Sequence, residues 1–259
     1  MNYLKFNVFK HLFTGILFVV ILSSCQSKKL TITKDNFEAD TLNQIWTSDK
    51  FIEGGFQIQS EETRSGENAA MLQVKQGDQI EEEKGTHFER AELKESKKLM
   101  SAEYKNYSYK FSLMIPEGFP ETGTRLVVAQ WKQNCRSGNC DPDNPVIAVR
   151  FESGELFITL QTDEIRQELY RNKNSVLNEW LDFRFDVRFS RKDDGVLFVW
   201  LNNQQIIRFT GVTAYAEQFG YPNPGEFYFK TGLYRDTMKE PMKIYFDDYS
   251  KSSLKNLHN

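Results

Sequence analysis

Between residues 107 and 249, apolar and polar residues alternate with a period of two, the repeat of a β-strand whose two faces meet different surroundings. Residues 107–115 alternate in this way and stop at Pro116, because proline cannot donate to a strand ladder. Residues 125–132, 146–152 and 155–161 follow, the last two joined by a Ser153-Gly154 turn. In 182–190, Phe183, Phe185, Val187 and Phe189 fall on one face. An Asp193-Asp194-Gly195 turn leads into 195–201, Asn202-Asn203 leads into 205–209, and 227–234 and 243–249 close the set. Helical periodicity is scarce, and 163–170 is the one short stretch that carries it. About ten short strands separated by turn residues, with no internal repeat, predict one all-β domain of two packed antiparallel sheets.

Three segments carry more than a pattern: Arg90-Ala91-Glu92-Leu93-Lys94, Gln130-Trp131-Lys132 and Tyr228-Phe229-Lys230-Thr231-Gly232-Leu233-Tyr234-Arg235. As strands they place Arg90, Glu92 and Lys94 on one face, Gln130 beside Lys132, and Tyr228, Lys230 and Tyr234 in one row. The opposite faces carry Ala91, Leu93, Trp131, Phe229 and Leu233. A row dense in Arg, Lys, Gln and Tyr does not pack against a second core, since desolvating those groups unpaired costs several kcal/mol each. The expectation is a wet, cationic groove suited to an anionic sugar chain.

At the amino end, Lys5 and Lys10 precede an apolar run at 12–22 that closes on Leu22-Ser23-Ser24-Cys25. This is the layout of an export signal with a lipobox, in which Cys25 becomes the lipidated first residue. The run is about half the ~20 residues that a membrane span needs. Gln26, Ser27, Lys28 and Lys29 bring no acidic residue after the cysteine, which favours the outer membrane over retention in the inner one. The expected divisions are a signal at 1–24, a lipidated tether at 25–34, the sandwich at 35–250 and a tail at 251–259. Loss of Lys5 and Lys10 takes the formal charge from −3 to −5, so any affinity for a polyanion must come from local clustering of cations, and nucleic acid is not an expected partner. Cys135 and Cys140 frame a tight loop just after Lys132. In an exported chain they are expected to form a disulfide, and no neighbouring histidine completes a zinc site.

The three segments resemble the signature strands of jelly-roll polysaccharide lyases: Arg90-Ala91-Glu92-Leu93 an Arg-x-Glu-Leu strand, Gln130-Trp131-Lys132 a Gln-Ile-His strand, and Tyr228-Phe229-Lys230-Thr231-Gly232-Leu233-Tyr234 a Tyr-Phe-Lys-Ala-Gly-x-Tyr strand. Trp180-Leu181-Asp182-Phe183 and the stretch from Gly195 to Asn203 are similar to the heparin and glucuronan lyase branch. The resemblance spans roughly residues 85 to 250. It implies a single-domain β jelly roll, a concanavalin-like sandwich, acting on a uronate polymer by β-elimination. One departure changes the substrate class: Lys132 stands where the alginate, heparin and glucuronan enzymes carry histidine. A Gln-x-Lys strand with a distant tyrosine is similar to the ulvan lyases of polysaccharide lyase family 28. Ulvan, a sulfated polymer with rhamnose-linked uronates, is therefore the leading substrate, with glucuronan, alginate or heparin-type polymers as alternatives.

The resemblance and the residue chemistry together assign Lys132 as base and Tyr234 as acid, the opposite assignment remaining open, and Arg90 and Gln130 as neutralisers of the substrate carboxylate. Glu92, Lys94, His87, Tyr228, Lys230 and Arg235 are expected substrate contacts. No cofactor is required by this chemistry. Asp247-Asp248 is either a structural calcium site or a surface pair near a turn, and the chain is expected to act as a monomer. A glycoside hydrolase would need paired carboxylates on one strand, and the Asp163-to-Glu168 stretch has neither the spacing nor an apolar frame. A non-catalytic carbohydrate-binding lipoprotein on the same fold is the other alternative.

Overall fold

A computed structural model describes residues 32–120, 125–172 and 174–257. The expected signal, lipobox and Cys25 lie outside the described residues. Two antiparallel sheets face each other. One runs from edge to edge through Gln204–Gly211, Gly195–Leu201, Trp180–Arg188, Asn106–Met114, Met242–Leu254, Ala69–Val74 and Phe56–Gln59, with Ile32–Asp35 also paired to Met242–Leu254. The other runs through Arg166–Asn172, Glu155–Gln161, Ile147–Glu152, Leu126–Gln133, Glu226–Asp236, Phe88–Glu95 and Trp46–Thr47, with Ser101–Ala102 paired to Glu226–Asp236. The remaining regular elements are the 3-10 turns Glu81–Glu83, Lys97–Leu99 and Glu217–Phe219. No α-helix occurs among the described residues, and none of their elements is a helix long and apolar enough to cross a membrane.

The alternation explains the layers. Phe183, Phe185 and Val187 point inward from one sheet, and Leu93, Trp131, Phe229 and Leu233 from the other. Trp131 is the hub. Its ring lies 4.4 Å from that of Phe185, 4.8 Å from Phe229 and 5.4 Å from Tyr109, centroid to centroid. Such aromatic pairs add ~0.5–1.5 kcal/mol each beyond their area. A buried ion pair also joins the sheets: Lys251 Nζ lies 3.1 Å from Glu95 Oε1, and the Phe229 amide and the Tyr249 hydroxyl donate to the same carboxylate. Burial pushes the Glu95 carboxyl up and the Lys251 ammonium down, and each offsets part of the other's shift.

Three expectations need correction. The stretch 163–170 is not helical: Arg166–Asn172 is an edge strand paired with Glu155–Gln161, because the open ladder of that strand offers more hydrogen bonds than an isolated two-turn helix would. The described sandwich begins inside the stretch expected as a tether, since Ile32–Asp35 already pairs with the long strand Met242–Leu254. The same strand carries regular structure four residues past the expected boundary at 250.

Candidate active site

The outward face of the second sheet carries the three signature strands side by side. Lys230 is in register with Gln130 on one side and Lys94 on the other, Tyr228 with Lys132, and Tyr234 with Arg90 and Val127. An irregularity between Thr231 and Tyr234 shifts the register by one residue against Leu126–Gln133. Val127 and Gln130 then both face outward although their parity differs. Gly232 permits the close approach, because its φ is +139° and a Cβ there would lie 2.1 Å from the Ala91 carbonyl oxygen.

Arg90, Gln130, Lys132, Lys230 and Tyr234 line one pocket of about 420 Å³. Glu83, Phe88 and Asp143 complete part of its wall, with Arg125, Arg150 and Arg166 at one end. Beneath the floor is Glu92, 1% exposed. It accepts from Lys230 Nζ at 2.7 Å, from Gln130 Nε2 at 2.5 Å and from Arg90 Nη1 at 3.3 Å. Lys230 and Arg90 hold its carboxyl below the usual range against the opposing effect of burial, the largest single influence on it. Burial pushes Lys230 down to about 8, with Glu92 pulling it back up. Arg90 also donates through Nε to Glu83 at 2.9 Å, and its guanidinium lies 4.3 Å from the centre of the Tyr234 ring. Burial raises the Tyr234 phenol, and Arg90 opposes it, so the hydroxyl keeps its proton at neutral pH. Lys132 Nζ is paired with Asp143 Oδ2 at 2.7 Å. The Cys135–Cys140 disulfide, with its Cα atoms 5.9 Å apart, closes the loop between the Lys132 strand and the Asp143 segment.

The structure brings Arg90, Gln130, Lys132, Lys230 and Tyr234 together and separates other expected contacts. Arg235 is no groove residue. It is fully buried on the opposite face, where it pairs with Glu89 at 2.8 Å and donates to the Glu240 carbonyl at 2.6 Å. Its parity in the strand differs from that of Tyr234, which is the physical reason. Glu92 supports the floor from below and is too buried to meet a sugar. Lys94 and Tyr228 share the outward face beyond the pocket: Lys94 pairs with Asp49 at 2.9 Å and sits 5.5 Å over the Tyr228 ring. His87 is exposed next to the pocket-lining Phe88, the two rings 4.0 Å apart. Asp247 is buried and receives the amides of Arg64, Ser65 and Asp248, and burial raises its carboxyl to about 6. That is the pattern of a loop-bracing acceptor, and no metal-holding cluster of His, Cys, Asp and Glu occurs among the described residues.

Glu83, Asp143, Arg150 and Arg166 went unrecognised in the sequence. Glu83 and Asp143 lie on connecting segments, Arg166 is one polar residue among several on its strand, and Arg150 stands between Val149 and Phe151 in an apolar strand whose signal, a lone charge in a core run, was not followed.

A family model described as polysaccharide lyase matches residues 31–250. The chain belongs to the polysaccharide lyases. No curated protein sequence matches it. The fold is similar to that of an endo-β-1,4-glucuronan lyase from the fungus Trichoderma reesei, at 12% identity and TM-score 0.65 over 86% of this chain and 95% of that one. It is similar also to a family 7 alginate lyase, A1-II', at 16% identity and TM-score 0.53 over 83% and 85%. A GH131 β-glucanase catalytic domain from Podospora anserina has the same architecture at 10% identity and TM-score 0.53 over 79% and 84%. At these identities the likeness is one of fold, so the chemistry of this lyase must be argued from its own pocket.

Proposed function

We propose that this polysaccharide lyase cleaves a uronate-bearing anionic polysaccharide by β-elimination in the pocket around Arg90, Gln130, Lys132 and Tyr234, with ulvan as its substrate. The observation that carries the reading is the convergence of these four side chains from three strands on one pocket of about 420 Å³. Elimination removes the proton on C5 beside the carboxylate, turns that C–H pair into the C4–C5 double bond, and expels the oxygen on C4. The step is slow unless the carboxylate is neutralised. Arg90 and Gln130 are the neutralisers. Glu92 takes one N–H of the Gln130 amide and leaves the second hydrogen of that nitrogen for the substrate. Preorganised donors of this kind are worth ~3–4 kcal/mol apiece.

Tyr234 suits the acid role, since its half-buried phenol holds a proton to give to the departing oxygen. Lys132 is the base in this reading, and substrate must displace its pairing with Asp143 to free the amine. Hydrolysis by a carboxylate pair is disfavoured, because Glu83, Glu92 and Asp143 are each already bound to a cation. The export reading stands with this function: Cys25 anchors the protein to the outer membrane, where polymer fragments arrive.

The test is absorbance of the unsaturated uronate product on ulvan, glucuronan, alginate and heparin. Lys132→Ala and Tyr234→Phe are each expected to lower kcat by ~10²–10⁴-fold. Normal turnover in Lys132→Ala would transfer the base role to Lys230, the pocket lysine whose amine burial already favours. No product from any uronate polymer would leave a carbohydrate-binding module.

A further inference from the structure

The pocket carries more positive charge than carboxylate neutralisation uses. Arg90, Lys132 and Lys230 each have a carboxylate partner within 3.3 Å. Arg150 and Arg166 have none within 4 Å among the described residues, and the third arginine of that end, Arg125, reaches Asp236 only at 3.7 Å. Arg150 is the informative member. It is 7% exposed, donates through Nε to the Thr159 hydroxyl at 3.2 Å, and its two terminal nitrogens find no acceptor among the described residues. Burying a guanidinium without a counter-charge costs stability. Burial and the fields of Arg166 and Arg125 push Arg150 down to about 10, which registers that cost. A cation kept under these conditions at the wall of a pocket is held for an incoming anion.

Position identifies which anion. Tyr234 is in register with Val127, and Val127 with Arg150, so Arg150 stands two strands from Tyr234 along the row that also holds Arg90. At ~4.8 Å per strand this is ~10 Å, the reach from the uronate at the reacting centre to a neighbouring sugar. The uronate carboxylate is already served by Arg90 and Gln130. We propose that Arg150, with Arg166 and Arg125 beside it, forms a subsite for a sulfate ester on the sugar next to the cleaved uronate. Three guanidinium groups lining one pocket match an oxyanion with three terminal oxygens better than a carboxylate with two. The subsite rests on the lyase reading of the same groove and makes the substrate class specific: a polymer in which uronates alternate with sulfated sugars.

Two measurements test it. In the first, kcat/KM is determined on ulvan and on chemically desulfated ulvan. Wild type is expected to lose about tenfold on desulfation, chiefly in KM, the worth of one charge-assisted contact. Arg166→Gln and Arg150→Gln should lose as much on ulvan and nothing further on the desulfated polymer. In the second, binding to dextran sulfate, which has no uronate to cleave, is followed by affinity electrophoresis. Both arginine variants should bind about tenfold more weakly, whereas Lys110→Gln, on the outer face of the other sheet, should not. Arg166 is exposed, so its variant stays folded even if Arg150→Gln does not. Equal losses on sulfated and desulfated polymer, or unchanged dextran sulfate binding in Arg166→Gln, would overturn the subsite. Arginine-dependent dextran sulfate binding without turnover of any uronate polymer would keep the subsite and remove the lyase reading.

Discussion

Replacing Glu92 by glutamine keeps the volume beneath the pocket floor and removes the buried negative charge there. The consequence can be worked out from Lys230, whose ammonium lies 2.7 Å from the carboxylate and titrates at about 8 with Glu92 supporting the charged form. Without Glu92, burial is no longer opposed by a carboxylate in contact, and Lys230 releases its proton at a lower pH. In both proteins the unfolded lysine behaves alike, so only the folded states differ. The stabilisation due to the Glu92 charge is therefore present below about pH 8 and is lost as the pH rises through that value. Below pH 8 the deficit of Glu92→Gln grows by up to ~1.4 kcal/mol per pH unit, until the variant's own Lys230 takes up a proton. Between pH 9 and pH 7 this amounts to an added loss of ~1.4 kcal/mol, and at pH 6 to about twice that. A pH-independent part, from the altered bonds to Gln130 and Arg90, adds ~1–3 kcal/mol. Urea unfolding of wild type and variant at pH 6, 7 and 9 measures both parts. A deficit of the same size at pH 6 and pH 9 would refute the reasoning, because it would mean that Lys230 does not carry the charge that Glu92 holds.

Arg235→Ala strands the fully buried Glu89 carboxylate, so the expected loss is ~3–5 kcal/mol of stability with little change in KM; restoration by a paired Arg235→Met and Glu89→Met replacement, read as the urea midpoint, would confirm a structural pair. Replacing Cys135 and Cys140 by serine opens a loop whose closing residues are five apart in sequence, and the expected cost is ~2 kcal/mol, or a fall of ~4–8 °C in Tm by calorimetry. Cys25→Ser should move the protein from the membrane pellet to the soluble fraction, and unchanged fractionation would count against the proposed export and lipid anchor.

The sequence by itself determined which side chains share the groove face. Alternation within a strand is a local property, so Arg90 with Glu92 and Lys94, Gln130 with Lys132, and Lys230 with Tyr234 could be grouped before any pairing was known, and Phe183, Phe185 and Trp131 could be assigned to the core for the same reason. Among the strands that were missed or misread, Ile32–Asp35 and Phe56–Gln59 are four residues long, and Arg166–Asn172 is an edge strand of polar residues that becomes a strand only because Glu155–Gln161 lies beside it; Ala69–Val74 alternates clearly and was passed over all the same. Tertiary structure decided how deep each outward residue lies and what it touches. Glu92 is a buried support and Lys94 a half-buried rim residue although both share one face, because Gln130, Lys230 and Arg90 close over the first, whereas the second pairs with the exposed Asp49 at the edge of the Tyr228 ring. Asp143 reaches Lys132 from a loop, and Arg150 and Arg166 reach the pocket from strands two and four places away from the Tyr234 strand. Such meetings depend on strand order and loop course, which a period of two does not encode.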